Sequence, residues 1–166
     1  MNESQVFDEI QRQINKNNLI NSCSGEGCTV DMEGVPSKRI IVHVENEFNF
    51  QNKMEKRCDR LLFFLNTEKR LVAVPIELKS GKAEESDVVE QLENSLKFAQ
   101  SIASATSISR TEYCPVLFDG RGIKWSNPRG LKQLRVRFRG KNLLVLRGKC
   151  SGKNHLAKIL SDSGYL

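Results

Sequence analysis

Two apolar runs separated by a short polar stretch constrain the fold of this chain more than any other feature. Residues 61–65 are wholly apolar, residues 71–78 are nearly so, and the stretch between them, 66–70, is entirely polar. Runs of this length and spacing are typical of two antiparallel strands joined by a tight turn. The sequence therefore predicts a β-hairpin near the middle of the chain.

The pairing of this hairpin predicts where its charged residues meet. With the turn centred on Glu68, Asp59 faces Glu77, and directly opposed Cβ atoms lie roughly 4.5 to 5.5 Å apart. Side chains alternate faces along a strand, so Lys79 projects on the same side as Glu77. Pro75 lacks the amide hydrogen of a ladder bond and could shift the register by one residue, which would leave Asp59 diagonal to Glu77.

Two carboxylates held this close repel each other, and a divalent cation would relieve the repulsion. Oxygen ligands without cysteine or histidine suit Mg²⁺ or Mn²⁺, which leave coordination positions for water and substrate phosphate. Such a metal activates water and stabilises a charged phosphate transition state. Lys79 beside it would hold the attacking water or neutralise developing charge.

Asp59 followed, after a hairpin, by Glu77, Leu78 and Lys79 resembles the signature of the PD-(D/E)xK nuclease superfamily, the restriction-endonuclease-like nucleases. The resemblance covers about residues 1–120. It implies that Asp59 and Glu77 bind the metal with the backbone carbonyl of Leu78. It also implies that Lys79 serves the hydrolytic water.

Three further positions bear on this resemblance. Gln91 begins a QLENS segment on a predicted helix and is similar to the glutamine motif of the exonuclease-like branch, which implies a catalytic role, although that branch has tyrosine where Ser95 or Leu96 stands. Cys58 replaces the proline of the family's name. Some branches take a further acid from their first helix, which makes Glu9 a candidate metal ligand, with a solvated helix charge as the alternative.

The predicted elements match the α-β-β-β-α-β core that the resemblance implies, an α/β fold with a mixed central sheet flanked by helices. They are a helix from Ser4 to about Asn15, a strand at 38–45, the two hairpin strands, a helix at about 86–103 and a strand at 115–118. A second hairpin, at 134–138 and 142–146, and a helix from about Lys153 to Leu160 follow. We expect one domain over 1–166, with a core of about 1–120 and a basic extension over 120–166 that carries the second hairpin.

Charge is distributed unevenly along the chain. Residues 1–119 contain 14 Lys and Arg against 19 Asp and Glu, whereas residues 120–161 contain 12 Lys and Arg and no acid. A basic strand face attracts phosphate backbones, and a merely solvated face is the alternative. Arg135, Arg137 and Arg139 have strand spacing and are expected to share one face. The candidate nucleic-acid-binding residues are Lys124, Arg129, Arg135, Arg137, Arg139 and Lys141.

Composition limits the remaining classes. The 166 residues suit one core, and 39% apolar with 28% charged residues is ordinary for a globular protein. There is no apolar run of about 18 residues and no signal pattern, so we expect no membrane partner and a cytoplasmic location. The five cysteines are odd in number and irregularly spaced, which favours reduced thiols.

Together these features predict a metal-dependent nuclease that hydrolyses phosphodiester bonds in defence, recombination or repair. DNA is the expected substrate over RNA, because most of the resembling superfamily cuts DNA. Cleavage of two strands by one small site generally needs two copies, so a homodimer is expected, and a larger system could contribute a partner subunit. The alternatives are a non-catalytic nucleic-acid-binding or assembly module that retains the nuclease fold, and a basic interaction protein whose hairpin acids are only solvated.

Overall fold

The computed structural model describes residues 2–151 and 155–166, which form a mixed α/β fold. Within these ranges no helix is long and apolar enough to cross a membrane. The helices are α1 (Glu3–Gln11), α2 (Val44–Phe50), α3 (Glu85–Ser104) and α4 (His155–Asp162). The strands are β1 (Leu19–Ile20), β2 (Cys23–Gly25), β3 (Cys28–Val30), β4 (Arg39–His43), β5 (Arg60–Leu65), β6 (Leu71–Lys79), β7 (Ala83–Glu84), β8 (Thr111–Tyr113), β9 (Val116–Asp119), β10 (Ile123–Lys124), β11 (Arg135–Phe138), β12 (Lys141–Leu144) and β13 (Leu146–Lys149).

A mixed sheet forms the centre of the molecule, with the strand order β1, β4, β5, β6, β9, β13. In this order β1 pairs with β4, β4 with β5 and β5 with β6, and each of these pairs is antiparallel. On the other side of β6, β8 and β9 both pair with it in parallel, and β13 pairs in parallel with β9. Three small sheets, β2 with β3, β7 with β10 and β11 with β12, lie outside this path.

The predicted hairpin is formed by β5 and β6 in the predicted register. Phe63 pairs with Ala73, and Arg60 pairs with Ile76. β5 begins at Arg60, and the backbone N of Asp59 donates to the carbonyl of Ile76 at 3.1 Å, which places Asp59 beside Ile76 and Glu77 at the open end of the hairpin. The turn centred on Glu68 is thus confirmed.

Pro75 causes no slip of this register. It lies opposite Leu61. Hydrogen-bonded and non-bonded pairs alternate along an antiparallel ladder, and the amide of Asn66 bonds the carbonyl of Arg70, so the Leu61–Pro75 pair is a non-bonded one. On the other side of β6, Pro75 falls in the gap after the last pair with β8 and before the first pair with β9. A proline in the middle of this strand therefore leaves no ladder bond unmade.

The two faces of the sheet pack in separate cores. Odd-numbered residues of β5 and β6, such as Phe63, pack with α1 and with α3 residues such as Leu92. Even-numbered residues, such as Phe64, pack with the β2–β3 hairpin and with α4 residues such as Leu156. By strand alternation Glu77 belongs to the face covered by α3.

The predicted strand at 38–45 ends earlier than expected, because helix α2 begins at Val44. The Nδ1 of His43 accepts a hydrogen bond from the backbone N of Asn46 at 3.3 Å and caps the helix. Acidic residues in the first turn, such as Glu47, also favour a helix start. Phe48 then falls one helical turn after Val44, and both are buried. The alternating apolar pattern of the strand continues into this helix, which explains the wrong boundary.

Other boundaries differ by a few residues. Asn2, and not Ser4, caps α1, whose buried stripe includes Val6 and Ile10 as predicted. The second predicted hairpin exists as β11 and β12, but the chain then forms the unpredicted strand β13 and returns to the central sheet. The predicted start of the last helix, Lys153, lies outside the described residues, and α4 is described from His155.

The prediction of five reduced thiols is wrong for one pair, because Cys28 and Cys150 form a disulfide. The two residues are 122 positions apart in the sequence. They meet because β3 and the residue after β13 both lie at the carboxyl end of β9. This proximity depends on long-range pairing that cysteine spacing does not reveal. Cys23, Cys58 and Cys114 are free and buried.

Candidate active site

Asp59 and Glu77 meet at the open end of the β5–β6 hairpin. The backbone N–H of Leu78 donates to Asp59 Oδ2 at 2.8 Å and to Glu77 Oε1 at 3.3 Å. One amide hydrogen is therefore shared by both carboxyl groups. The amide of Asp59 is itself fixed by a bond to the carbonyl of Ile76 at 3.1 Å. The strand backbone thus holds the two acids against each other.

Glu77 is buried in a position that does not suit a free carboxylate. Its side chain is 1% exposed, and its Oε2 has no hydrogen-bond partner among the described residues. Lys79 Nζ lies 3.6 Å from that oxygen. Burial, together with the hydrogen bond and the charge of Asp59, raises the pKa of Glu77 to about 10, although Lys79 opposes the shift. A bound cation would reverse this balance and favour the ionised form.

A pocket of about 210 Å³ opens beside these groups. Gln91, on α3, borders it, and its buried Oε1 also has no hydrogen-bond partner among the described residues. Two residues that each have a buried acceptor oxygen with no partner in the described ranges, Glu77 and Gln91, therefore line one cavity. Buried polar atoms in native structures are generally satisfied, so this pair indicates a place for a ligand or water. The pocket is lined by Glu26, Glu45, Lys56, Arg57, Cys58, Asp59, Glu77, Lys79 and Gln91.

Helix α3 fixes the segment that precedes β5. Ser95 Oγ accepts a hydrogen bond from the backbone N of Cys58 at 2.8 Å. Asn94 Nδ2 donates to the carbonyl of Lys56 at 2.9 Å. Because these bonds hold the residues just before Asp59, they position its carboxylate relative to the helix. Ser95, one of the two positions at which the glutamine-motif resemblance leads one to expect tyrosine, thus has a positioning role.

Two acidic residues of the pocket were missed by the sequence reasoning. Glu26 lies in the turn between β2 and β3, where its φ is 51°. Glu45 lies in the first turn of α2. A Gly-Glu-Gly turn is a sequence signal for an exposed acid, but nothing local shows that it reaches the hairpin. Glu45 was hidden because the strand prediction extended over it.

Glu9 is not brought to this pocket. Its Oε2 accepts hydrogen bonds from the backbone N and Oγ of Ser107, at 2.7 and 3.0 Å. These bonds lower the pKa of Glu9 and join α1 to the loop after α3. Within the described ranges, no group of three or more His, Cys, Asp or Glu side chains is arranged to hold a metal ion. Asp59 and Glu77 are the two pocket acids that share the Leu78 amide.

The basic hairpin has the predicted alternation over β11. Arg135 and Arg137 are exposed, while Val136 and Phe138 are buried in the core that contains α3. Arg139 differs from the prediction, because β11 ends at Phe138 and Arg139 lies in the turn with a φ of 56°. The common face therefore consists of the first two arginines.

The other predicted phosphate-binding residues are spread over the surface. Lys141 begins β12 and is exposed. Lys124, on β10, lies 3.5 Å from Glu84 in an exposed ion pair, and Arg129 is exposed in the loop after β10. The hairpin is tied to α3, since the backbone N of Arg137 donates to Glu93 Oε2 at 2.6 Å.

Comparisons of this chain with protein-family profiles, with curated proteins and with solved structures give no match.

Proposed function

We propose that this protein is a metal-dependent nuclease in which Asp59 and Glu77 hold Mg²⁺ or Mn²⁺. One observation carries the proposal: two carboxyl groups share the Leu78 amide, and Glu77, which lines the pocket, has a buried oxygen with no hydrogen-bond partner among the described residues. The elements α1, β4, β5, β6, α3 and β9 follow in this order along the chain, with α2 inserted between β4 and β5 and with short strands between other members. This order supports a restriction-endonuclease-like fold.

The donor set fits a small, hard divalent cation. The side-chain oxygens of Asp59 and Glu77 already converge, and Mg²⁺ typically takes one or two carboxylates while keeping positions for water and phosphate. The Leu78 N–H points toward Asp59. Because the N–H and C=O of one residue point to the same side of a strand, the Leu78 carbonyl is available on that side as well. When bound, the metal would supply Lewis-acid stabilisation and a more acidic water.

The remaining pocket residues suit hydrolysis of a phosphodiester. The Lys79 side chain is 29% exposed, so its ammonium group can reach a water or a phosphate oxygen. There it would orient the attacking water and offset the negative charge that grows on the phosphate oxygens. Gln91 Oε1, which has no hydrogen-bond partner in the part of the chain that the structure describes, would accept a hydrogen bond from that water.

Nucleic acid is the substrate that the charge distribution favours. The exposed face of Arg135 and Arg137 is joined to α3 through Glu93, on the same helix as Gln91. A basic surface beside an acidic centre would recruit a polyanion that the acids alone would repel. DNA is preferred over RNA on the resemblance of the hairpin motif.

Incubation with nucleic acid tests the proposal. Supercoiled plasmid, single-stranded DNA and single-stranded RNA are each incubated in Mg²⁺, Mn²⁺ or EDTA. We expect metal-dependent cleavage that is lost in Asp59→Ala and Lys79→Ala, while binding in EDTA survives. Glu68→Gln, at the turn end of the same hairpin, is the matched control and should cleave like the wild type. Cleavage that persists in EDTA and in both variants would overturn the proposal.

A non-catalytic nucleic-acid-binding module is the second candidate. It is favoured by the absence, within the described ranges, of a group of three or more His, Cys, Asp or Glu side chains arranged to hold a metal ion. Such a module would hold DNA equally well in EDTA and as Asp59→Ala, and would yield no product over hours with either metal.

A further inference from the structure

A row of charged residues extends from Lys79 across the carboxyl ends of three parallel strands. The register pairs Lys79 on β6 with Asp119 on β9, and Asp119 with Lys149 on β13. Residues in register share one face, and neighbouring strands lie about 4.8 Å apart. The Cα atoms of Lys79 and Lys149 are therefore separated by roughly 10 Å, with Asp119 between them. Arg147, two residues earlier on β13, lies on the same face.

Asp119 fixes the two cations of β13. Its side chain is 1% exposed; Oδ2 accepts a hydrogen bond from Arg147 Nη2 at 3.0 Å, and Oδ1 accepts one from Lys149 Nζ at 3.0 Å. The backbone N of Gly122 adds a third bond to Oδ1 at 2.7 Å. Burial alone would raise the pKa of Asp119, but the bonds from Lys149, Arg147 and Gly122 outweigh it and lower the pKa. The carboxylate is thus ionised and holds both cations in place.

Both cations remain open to a ligand. The side chain of Arg147 is 36% exposed and that of Lys149 is 61% exposed. They border a cavity of about 430 Å³ between β13 and α4. Lys158 and Asp162, which also line this cavity, form an ion pair at 2.7 Å, so their charges cancel. Two cations share the single charge of Asp119, so this edge of the sheet keeps an uncompensated positive charge.

We propose that Arg147 and Lys149 bind backbone phosphates of the nucleic acid whose scissile bond lies at Asp59 and Glu77. The inference rests on the proposed function, since it places these phosphates along the nucleic-acid strand that leads away from the Asp59–Glu77 site. Arginine offers a planar fork to phosphate oxygens and lysine a point charge, and each has donors left beyond its bond to Asp119. A row that continues to Lys79 over roughly 10 Å suits a chain of phosphates more than a single one.

The test measures binding in EDTA, where hydrolysis plays no part. Fluorescence anisotropy with labelled duplex DNA is recorded over a range of salt concentrations for the wild type, Arg147→Gln and Lys149→Gln. The logarithm of the affinity falls as the logarithm of the salt concentration rises, and this fall should become less steep by about 0.9 for each lost phosphate contact. Lys16→Gln, an exposed cation just before β1 at the opposite edge of the sheet, removes the same charge and should leave the slope unchanged.

Two further variants separate binding from folding, because removing one cation leaves the buried Asp119 with fewer partners. Lys149→Arg keeps the charge and should keep the wild-type slope. The double variant Asp119→Asn with Lys149→Gln removes the buried charge together with its partner, and it should still show the reduced slope. Thermal unfolding of each variant confirms that the folded state is being measured.

A competition experiment distinguishes a nucleic-acid chain from free phosphate as the ligand of Arg147 and Lys149. An unlabelled oligonucleotide should displace the labelled DNA at far lower concentration than inorganic phosphate, and equal displacement per phosphate would reject a chain-binding surface. Unchanged slopes in folded Arg147→Gln and Lys149→Gln, beside normal metal-dependent cleavage, would overturn this inference alone. Reduced slopes in a protein that cleaves nothing would keep the inference and reject the nuclease. Absence of all DNA binding in EDTA would also overturn it.

Discussion

At the scale of the residue, Glu77 links the stability of this protein to its proposed chemistry. Its carboxyl group is buried, borders a cavity and lies against Asp59. Two neighbouring carboxylates repel each other and destabilise the folded state unless a proton or a cation lies between them. In the absence of metal the proton takes that role, so metal and proton should compete for this position.

The pH dependence of stability in EDTA follows from the raised pKa of Glu77. Above its ordinary pKa of 4.5 the unfolded chain loses this proton, while the folded protein keeps it up to about pH 10. The stability from this group is therefore present at low pH and declines as the pH rises through this interval. Glu77→Gln, which mimics the neutral acid, should lack the decline. Urea unfolding at pH 6 and pH 9 measures it, and an equal fall in both proteins would contradict the prediction.

Mg²⁺ provides the corresponding control. At pH 9 it should raise the unfolding midpoint of the wild type, because a ligand that binds only the folded state stabilises it. The midpoint of Glu77→Gln should respond far less.

At the scale of the element, the position of Asp59 depends on the attachment of its strand to α3. Ser95→Ala would leave the buried backbone N of Cys58 without its acceptor, at a cost of about 1–3 kcal/mol in the free energy of unfolding. It should also lower metal-dependent cleavage, since the segment before Asp59 loses its fixed point. Ser101→Ala is the matched control, because among the described residues that hydroxyl bonds only the carbonyl of Phe98, in the same helix. Equal stability and activity in the two variants would contradict the positioning role.

The elements also show which parts of the fold can be read from sequence. The β5–β6 hairpin was predicted with its register because the paired residues are close in the sequence and the polar turn between the two apolar runs can be recognised there. Helix α2 was missed because the capping by His43 is decided by a side-chain contact that the apolar alternation conceals. Strand β13 was missed because its hydrogen bonds are to β9, far away in the sequence. The candidate site divides in the same way: the Asp59–Glu77 pair is local, whereas Glu26 and Glu45 reach the pocket only through tertiary packing.

At the scale of the whole molecule, the Cys28–Cys150 disulfide closes most of the chain into one loop. For a loop of 122 residues the chain-entropy account gives a stabilisation of about 5 kcal/mol. Cys28→Ser with Cys150→Ser should therefore lower the free energy of unfolding by up to about this amount. Urea unfolding with and without a thiol reductant measures it. The reductant should destabilise the wild type and leave the double variant unchanged, and a response of the variant would point to another cause.

The separation of charge along the chain also has a consequence for how the protein is made. Residues 1–119, which contain the Asp59–Glu77 pair, carry more acidic than basic residues, and the 12 cations of residues 120–161 follow them. A chain leaving the ribosome therefore exposes the acidic part first. With 14 basic against 19 acidic residues, we expect this part to repel nucleic acid, including the ribosome's own RNA, until residues 120–161 are translated. On the proposed function, affinity for a polyanion would arise only after residues 120–149 are made and β13 has joined the sheet, when Asp59 and Glu77 have already been made.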